Sequence, residues 1–173
     1  MLVGEQPGDQ EDLAGLPFIG PAGEILHLAL AAAGIPFEAL YITNAVKHFH
    51  FEERGKRRIH KKPRASHVAA CRPWLEAEIA TVDPEFIVCL GATAALAVLG
   101  REARIHDERG EWQTTRWEIP TLITFHPSAI LRAEEPLRQL QFDQLTADLR
   151  KVWETAAAGN ATGERDPGSA QIQ

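Results

Sequence analysis

The run Arg54–Arg64, RGKRRIHKKPR, gathers seven lysines and arginines around one histidine, His60, in a chain whose formal charge is −6. A concentrated basic segment on an acidic body is a docking surface for a polyanion, nucleic acid first among them; the competing reading is a solvated surface loop. Near the start, GEQPG followed by DQED sets Glu5, Gln6, Asp9 and Asp12 on a glycine-rich turn. Glycines let backbone approach a ligand, and a carboxylate there acts as a base or stabilises a cation, or else simply caps a helix. Phe18 fits either a core aromatic or a stacking platform. Asn44 fits a turn, or a side chain that donates and accepts along a pyrimidine edge. His126, in His-Pro-Ser, fits a local backbone cap or a donor to a developing oxyanion.

These residues need elements to hold them. Leu2-Val3-Gly4 reads as the end of a buried strand, running into a loop over Glu5–Gly20. Pro21–Ala33 reads as a helix, with Pro21 in its first turn and Gly34 closing it. Tyr41-Ile42-Thr43 is a second strand ending at Asn44, and the basic loop follows. Ser66–Val82 is a helix with Pro73 as a local irregularity near its start. Phe86–Leu90 (FIVCL) is a continuous apolar run, as expected of a strand covered on both faces. A helix over Gly91–Leu99 follows directly, then strands over Glu111–Trp117 and Pro120–Phe125, the His-Pro-Ser loop, and a last helix over Leu137–Thr155. Strands alternating with helices predict a three-layer α/β/α sandwich with a mainly parallel central sheet. In such sheets the loops at the carboxyl ends of the strands build the site. Nearly every residue named above falls in one of those loops.

With 173 residues, 45% of them apolar, the chain is sized for one domain with a real core. The expected limits are a domain over residues 1–155 and a disordered tail over 156–173. No apolar run approaches the roughly 20 residues that span a bilayer, and no signal peptide opens the chain. A soluble, cytoplasmic, monomeric protein with no membrane partner is the expectation. Cys71 and Cys89 do not suggest a disulfide scaffold. The absence of GxGxxG and GxxxxGK[ST] argues against a generic nucleotide-binding domain.

GEQPGDQEDLAGLPFIGPAG, YITNAVK, CLGATAA and HPSAILR occur in an order and spacing that resemble the uracil-DNA glycosylase superfamily over roughly residues 2–153, and its iron–sulfur branch most closely. The inserted KRRIH, Lys56–His60, resembles the UdgX type, whose members excise uracil from DNA and become covalently joined to it through the histidine of this loop. The resemblance implies that Phe18 stacks on a uracil flipped out of the strand. It implies that Asn44 reads the uracil edge and rejects cytosine, and that His126 hydrogen-bonds the uracil carbonyl as charge collects on the leaving base. Leu131 would fill the gap left by the flipped nucleotide, while Arg132, Lys56 and Arg57 would face DNA. His60 would bond to C1′, with Glu5 orienting it or accepting its proton. Gln6 would position the base, a water or the loop. Arg58 would fix the loop against a phosphate or an acidic residue, and Asp9 and Asp12 would shape the site. An N-alkylated imidazole is a poor leaving group, so each protein molecule would act once.

The family also implies a [4Fe–4S] cluster held by four side chains, two of them a cysteine pair upstream of the first motif. Cys71 matches one ligand position and His48 stands where relatives of ordinary type have another cysteine. The chain begins within the first motif, which reads as an N-terminal truncation, and as written it is not expected to complete a cluster. Cys89 reads as a core residue; His27, His50, His67 and His106 read as surface or packing histidines. The rival functions are a conventional glycosylase in which water completes the reaction, and a non-catalytic single-strand-binding module.

Overall fold

A computed structural model describes residues 1–162. Its elements are β1 (Leu2–Gly4), α1 (Asp9–Ala14), α2 (Pro21–Ala33), a 3₁₀ turn (Phe37–Ala39), β2 (Ile42–Asn44), β3 (Phe51–Arg54), β4 (Arg57–His60), α3 (Ala65–Val82), β5 (Ile87–Leu90), α4 (Ala92–Leu99), α5 (Ile105–Glu108), β6 (Trp112–Thr114), β7 (Pro120–Thr124), α6 (Pro127–Arg132) and α7 (Leu137–Thr162). The central sheet runs β2-β1-β5-β7-β6. Its first four strands are parallel and β6 joins the edge antiparallel to β7. The expected sandwich with a mainly parallel sheet is the fold observed.

The alternation along the strands explains the layers. In β5, Ile87 and Cys89 enter one core with Val68, Leu75 and Ile79 of α3 and the alanines of α4. Val88 and Leu90 enter the other, with Leu26 and Leu30 of α2 and Leu145 and Leu149 of α7. Successive side chains of a strand point to opposite faces, so a strand covered on both sides is apolar at every position. Each large side chain withdrawn from water here contributes roughly 1.5–3 kcal/mol. The β1 residues follow the same rule, Leu2 to one core and Val3 to the other.

Several local expectations give way. The loop after β1 contains a helix, α1, whose first turn holds Asp9, Glu11 and Asp12 against the positive end of the helix dipole. The basic loop is an antiparallel hairpin, β3–β4, with Phe51 opposite His60 and Glu53 opposite Arg58. His126, for which a local backbone cap was one of the readings, caps a short helix, α6, where only a loop was expected. Pro73 does not break α3, because it lies on the helix's exposed face, where the carbonyl it leaves unpaired meets water. The strand expected over Glu111–Trp117 shortens to Trp112–Thr114 at the sheet edge. The last helix runs on past Thr155 to Thr162, and, of the tail expected over 156–173, positions 163–173 lie outside the described residues. Among the described residues no helix is long and apolar enough to cross a membrane.

Candidate active site

Four adjacent parallel strands, β2, β1, β5 and β7, end on the same edge of the sheet. The residues that follow them supply Asn44, Glu5, Gly91 with the start of α4, and His126. A cleft of about 800 Å³ opens there, with Glu5, His60, Gly91, His126 and Arg132 among its walls. That is the position expected for a ligand site in an open α/β sheet.

Glu5 is the centre of the polar geometry. Its Oε2 accepts a 2.5 Å hydrogen bond from the buried Thr93 hydroxyl, in the first turn of α4. Its Oε1 lies 3.4 Å from His60 Nε2, at the end of β4. Burial alone would raise the Glu5 carboxyl, but the bonds from His60 and Thr93, with the neighbouring His126, hold it below its ordinary value. Glu5 is therefore an ionised acceptor against the imidazole. Only 22% of its side chain is exposed, against 50% for His60. The carboxylate is set in the wall while the imidazole stands in the opening.

His126 works from the opposite tautomeric logic. Its Nδ1 accepts the Ser128 backbone N–H at 3.1 Å and lies 2.8 Å from the Ser128 hydroxyl, which in turn accepts from Arg132 at 3.3 Å. With Nδ1 used as an acceptor, the ring hydrogen belongs on Nε2. Burial lowers the imidazole to about 4, so it is neutral near pH 7 and presents an N–H donor. The helix cap and the N–H donor are thus one arrangement: capping α6 fixes the tautomer. Gly91, at φ +88°, passes so close that a Cβ there would lie 3.0 Å from His126 Cβ.

Phe18 and Asn44 are brought together behind this cleft rather than on its wall. The Phe18 ring centroid is 5.9 Å from that of His126. Its backbone has φ 55°, a left-handed conformation uncommon for a bulky residue and frequent where function demands it. Both side chains close on Gly4: a Cβ there would meet the Asn44 amide oxygen at 2.4 Å and the Phe18 ring at 2.8 Å. Asn44 itself lines a smaller neighbouring cavity of about 310 Å³ with Glu11, Asp12 and Tyr41.

The hairpin is held by ties that sequence reading found only in part. Arg58 donates to Asp9 Oδ1 at 2.5 Å, to Asp12 Oδ2 at 2.7 Å and to the Asp9 carbonyl at 3.2 Å. Its guanidinium also covers the Phe49 and Phe51 rings, with centroids at 5.3 and 5.1 Å. The acidic pair is therefore a clamp for the hairpin. Gln6, only 6% exposed, spans the hairpin's base: its Nε2 donates to the His50 and Lys61 carbonyls, and its Oε1 accepts the His50 N–H. Lys56 and Arg57 stand at the exposed turn, and Leu131 and Arg132 are exposed at the end of α6.

A sequence profile of the Uracil DNA glycosylase superfamily matches residues 1–150. The chain belongs to the uracil DNA glycosylase superfamily. Among curated relatives, it is 36% identical to the Type-4 uracil-DNA glycosylase of Pyrobaculum aerophilum over 76% of this chain and 67% of that protein. It is 39% identical to the Type-4 enzyme of Thermotoga maritima over 76% of this chain and 66% of that one. The Type-4 enzyme of Archaeoglobus fulgidus aligns with 96% of the chain at 30% identity, covering 78% of that protein. The chain thus spans about two thirds of the first two relatives' length.

In this superfamily member the cluster expected from the resemblance meets a donor set that does not fit it. Cys71 faces the core, 5% exposed, with its Sγ accepting the Lys47 backbone N–H at 3.4 Å. His48 is exposed in an open groove beside Trp74. Cys89 is wholly buried in β5, where burial raises its thiol and disfavours the thiolate a metal needs. Among the described residues no three histidine, cysteine or acidic side chains are gathered to hold a metal. No chemistry is therefore routed through a metal here.

Two residues of the site escaped sequence reading. Thr93, in the quoted GATAA segment, carried no signal beyond its motif, since a threonine in an alanine-rich helix reads as packing. Ser128 was visible as part of His-Pro-Ser, but its double contact with His126 depends on the cap geometry. Cys71 and His48 were paired as ligands on motif position; the Cys71 thiol is buried against the Lys47 N–H, next to the exposed His48.

Proposed function

We propose that the protein is a uracil-DNA glycosylase that excises uracil and captures the resulting sugar covalently through His60. The names of its relatives support the excision half. The observation that carries the capture half is the Glu5 carboxylate 3.4 Å from the His60 imidazole, at a cleft that also receives the neutral His126.

The chemistry divides between the two histidines. A uracil turned out of its strand enters the cleft, and stacking on Phe18 and reading by Asn44, both buried behind its wall, require a side-chain shift that opens the way to them. Cytosine is rejected because its 4-amino group reverses the polarity of the contact. As the C1′–N1 bond breaks, its electron pair passes into the base, and the His126 Nε2–H binds the carbonyl where charge collects. The electron pair of the His60 ring forms the new bond to C1′, while the imidazole N–H proton passes to Glu5. Uracil leaves as an anion and takes a proton from water. Thr93 keeps the second Glu5 oxygen occupied, so the carboxylate meets His60 in one orientation. The hairpin turn, with Lys56 and Arg57, and the end of α6, with Leu131 and Arg132, hold the flanking DNA.

A denaturing gel tests the whole reading. Protein is mixed with labelled oligonucleotides carrying uracil or thymine at one position, boiled in detergent and run beside an assay for released base. A heat-stable, uracil-dependent shift is expected. Free uracil without a shift would replace capture with turnover by water. Salt-sensitive binding with no uracil preference and no released base would leave only a strand-binding module.

A further inference from the structure

The cleft is larger than the chemistry just described requires. Glu5, His60 and His126 account for one part of its wall. Ile105, His106, Phe125, Ala129 and Gln141, from α5, the residue after β7, α6 and α7, also line it. A volume of about 800 Å³ is in the range that holds a molecule well beyond one pyrimidine ring.

That second wall is furnished. Gln141 is 6% exposed, yet its Oε1 has no hydrogen-bond partner. A buried acceptor left empty is uncommon, since it gives up solvation for nothing. Half a turn of the terminal amide exchanges its oxygen and nitrogen, so the side chain can offer either a donor or an acceptor to the cleft. His106 is exposed and meets Phe125 edge to face, with centroids 5.3 Å apart and planes at 63°. The contact with Phe125 steadies the imidazole, which remains exposed at the cleft and can serve as a stacking platform. Arg132 lines the same cleft, and its guanidinium contacts the Ser128 hydroxyl through one nitrogen. An aromatic platform, an unused amide and a guanidinium are the three elements of a nucleotide subsite: base face, base edge and phosphate.

The geometry points to a second nucleotide subsite, in which the base adjacent to the excised uracil stacks on His106 and is read by Gln141. This rests on the cleft being where uracil-containing DNA binds. A neighbour can enter only if it is unpaired, so the subsite makes single-stranded DNA the preferred substrate. Sequence preference follows from the Gln141 amide, which favours a neighbour with hydrogen-bonding groups on its edge over one with no base.

Three labelled single strands test it: uracil with normal neighbours, and uracil with a baseless tetrahydrofuran spacer on its 5′ or on its 3′ side. Binding is read by fluorescence anisotropy in a His60→Ser, His126→Asn background, in which capture is removed and base release slowed, and base release by the wild type is followed separately with time. The spacer on one side only is expected to weaken binding about tenfold, the scale of losing one stacked base. His106→Ala and Gln141→Leu are each expected to shrink that difference, with His106→Ala bringing the strands to within about twofold of one another. A duplex with uracil opposite adenine is expected to bind more weakly than the normal single strand. Equal affinity for all three strands, or variants that weaken all three alike, would overturn the subsite. A duplex bound as tightly as the single strand would overturn the unpaired neighbour. If no strand releases uracil, the glycosylase reading fails, while the anisotropy series still decides the subsite.

Discussion

The strand β5 and the hairpin β3–β4 both reach the cleft, yet they are held by opposite means. Every residue of β5 is buried between two helical layers, and the strand ends in Gly91 beneath His126. Much of the hairpin is exposed, pairs only with itself and is tied down by Arg58 on two aspartates and by Gln6 at its base. An isolated two-stranded hairpin is marginal in water, so those ties decide where His60 stands. On the proposed reading the excision machinery is built into the sheet edge and the nucleophile is delivered on an arm. The two halves of the proposed reaction are therefore separable by mutation.

The sharpest separation is His60→Ser. It is expected to abolish the heat-stable adduct while uracil release continues within about tenfold of the wild-type rate, the loss set by removing a nucleophile that follows bond weakening. Loss of both signals would mean that the arm contributes to excision itself. On the other side of the comparison, His126→Asn should slow base release roughly 10²–10³-fold, the usual consequence of deleting one preorganised donor to a developing anion. Asparagine keeps the cap of α6, so the helix should survive.

That same variant checks an effect of pH on stability. The folded His126 takes its proton near 4, whereas the unfolded chain takes it near 6.5. The unfolded state thus binds more protons between those values, and stability rises with pH across them. The contribution is fully present above about 6.5 and is lost as pH falls toward about 4. The depressed Glu5 carboxyl acts with the same sign at the acid end, its contribution lost as pH falls through its folded value. Denaturant midpoints at pH 7 and pH 5 should therefore differ for the wild type and differ less for His126→Asn. An equal drop in both would remove His126 as the source.

The arm's anchorage gives a smaller effect. Arg58→Ala removes a forked contact to Asp9 and Asp12 and the cover over Phe49 and Phe51. Exposed ion pairs are individually weak, but this one joins two elements and positions a third. The capture rate is expected to fall roughly tenfold relative to base release, a displaced nucleophile costing more than the contact energy alone. Measuring the ratio of capture to release in one reaction cancels changes in DNA affinity. An unchanged ratio would show that the hairpin keeps its place without Arg58.

The same contrast explains what could be read from the amino-acid order. Phe86–Leu90 declared a doubly covered strand because both faces are apolar, and the parallel sheet with its strand-end loops followed from it. The hairpin did not declare itself, because its only large apolar residues are Phe51 and Ile59 and its partners lie far away at Asp9, Asp12 and Gln6. Local periodicity carries no trace of a guanidinium that crosses to another helix. The six residues of α1, flanked by glycines and a proline, likewise have too little apolar pattern to read as a helix. Arg58 was expected to meet a phosphate or an acidic residue, and the acidic residues are what it meets. Gln6 was placed among loop, base and water, and its amide engages the loop. The burial of Cys71 depends on packing that no motif position specifies.

Thr93 gives the smallest effect and the closest view of how the two halves meet. It sits on the rigid side, buried in α4, and is linked to the arm's His60 through Glu5. Thr93→Val keeps the shape and deletes the hydroxyl, leaving Glu5 Oε2 without its 2.5 Å donor. The carboxylate should then ionise less readily and lose its fixed orientation, so capture is expected to slow by roughly fivefold at neutral pH, about the net contribution of one ordinary hydrogen bond. Loss of a donor raises the Glu5 carboxyl, so the acid limb of the capture rate should move to higher pH, while base release, which depends on His126, keeps its profile. Thr93→Ser restores the hydroxyl and should restore both rate and limb. A uniform loss that serine does not repair would make Thr93 a packing residue; a shifted limb repaired by serine would make it the point at which the sheet edge sets the nucleophile.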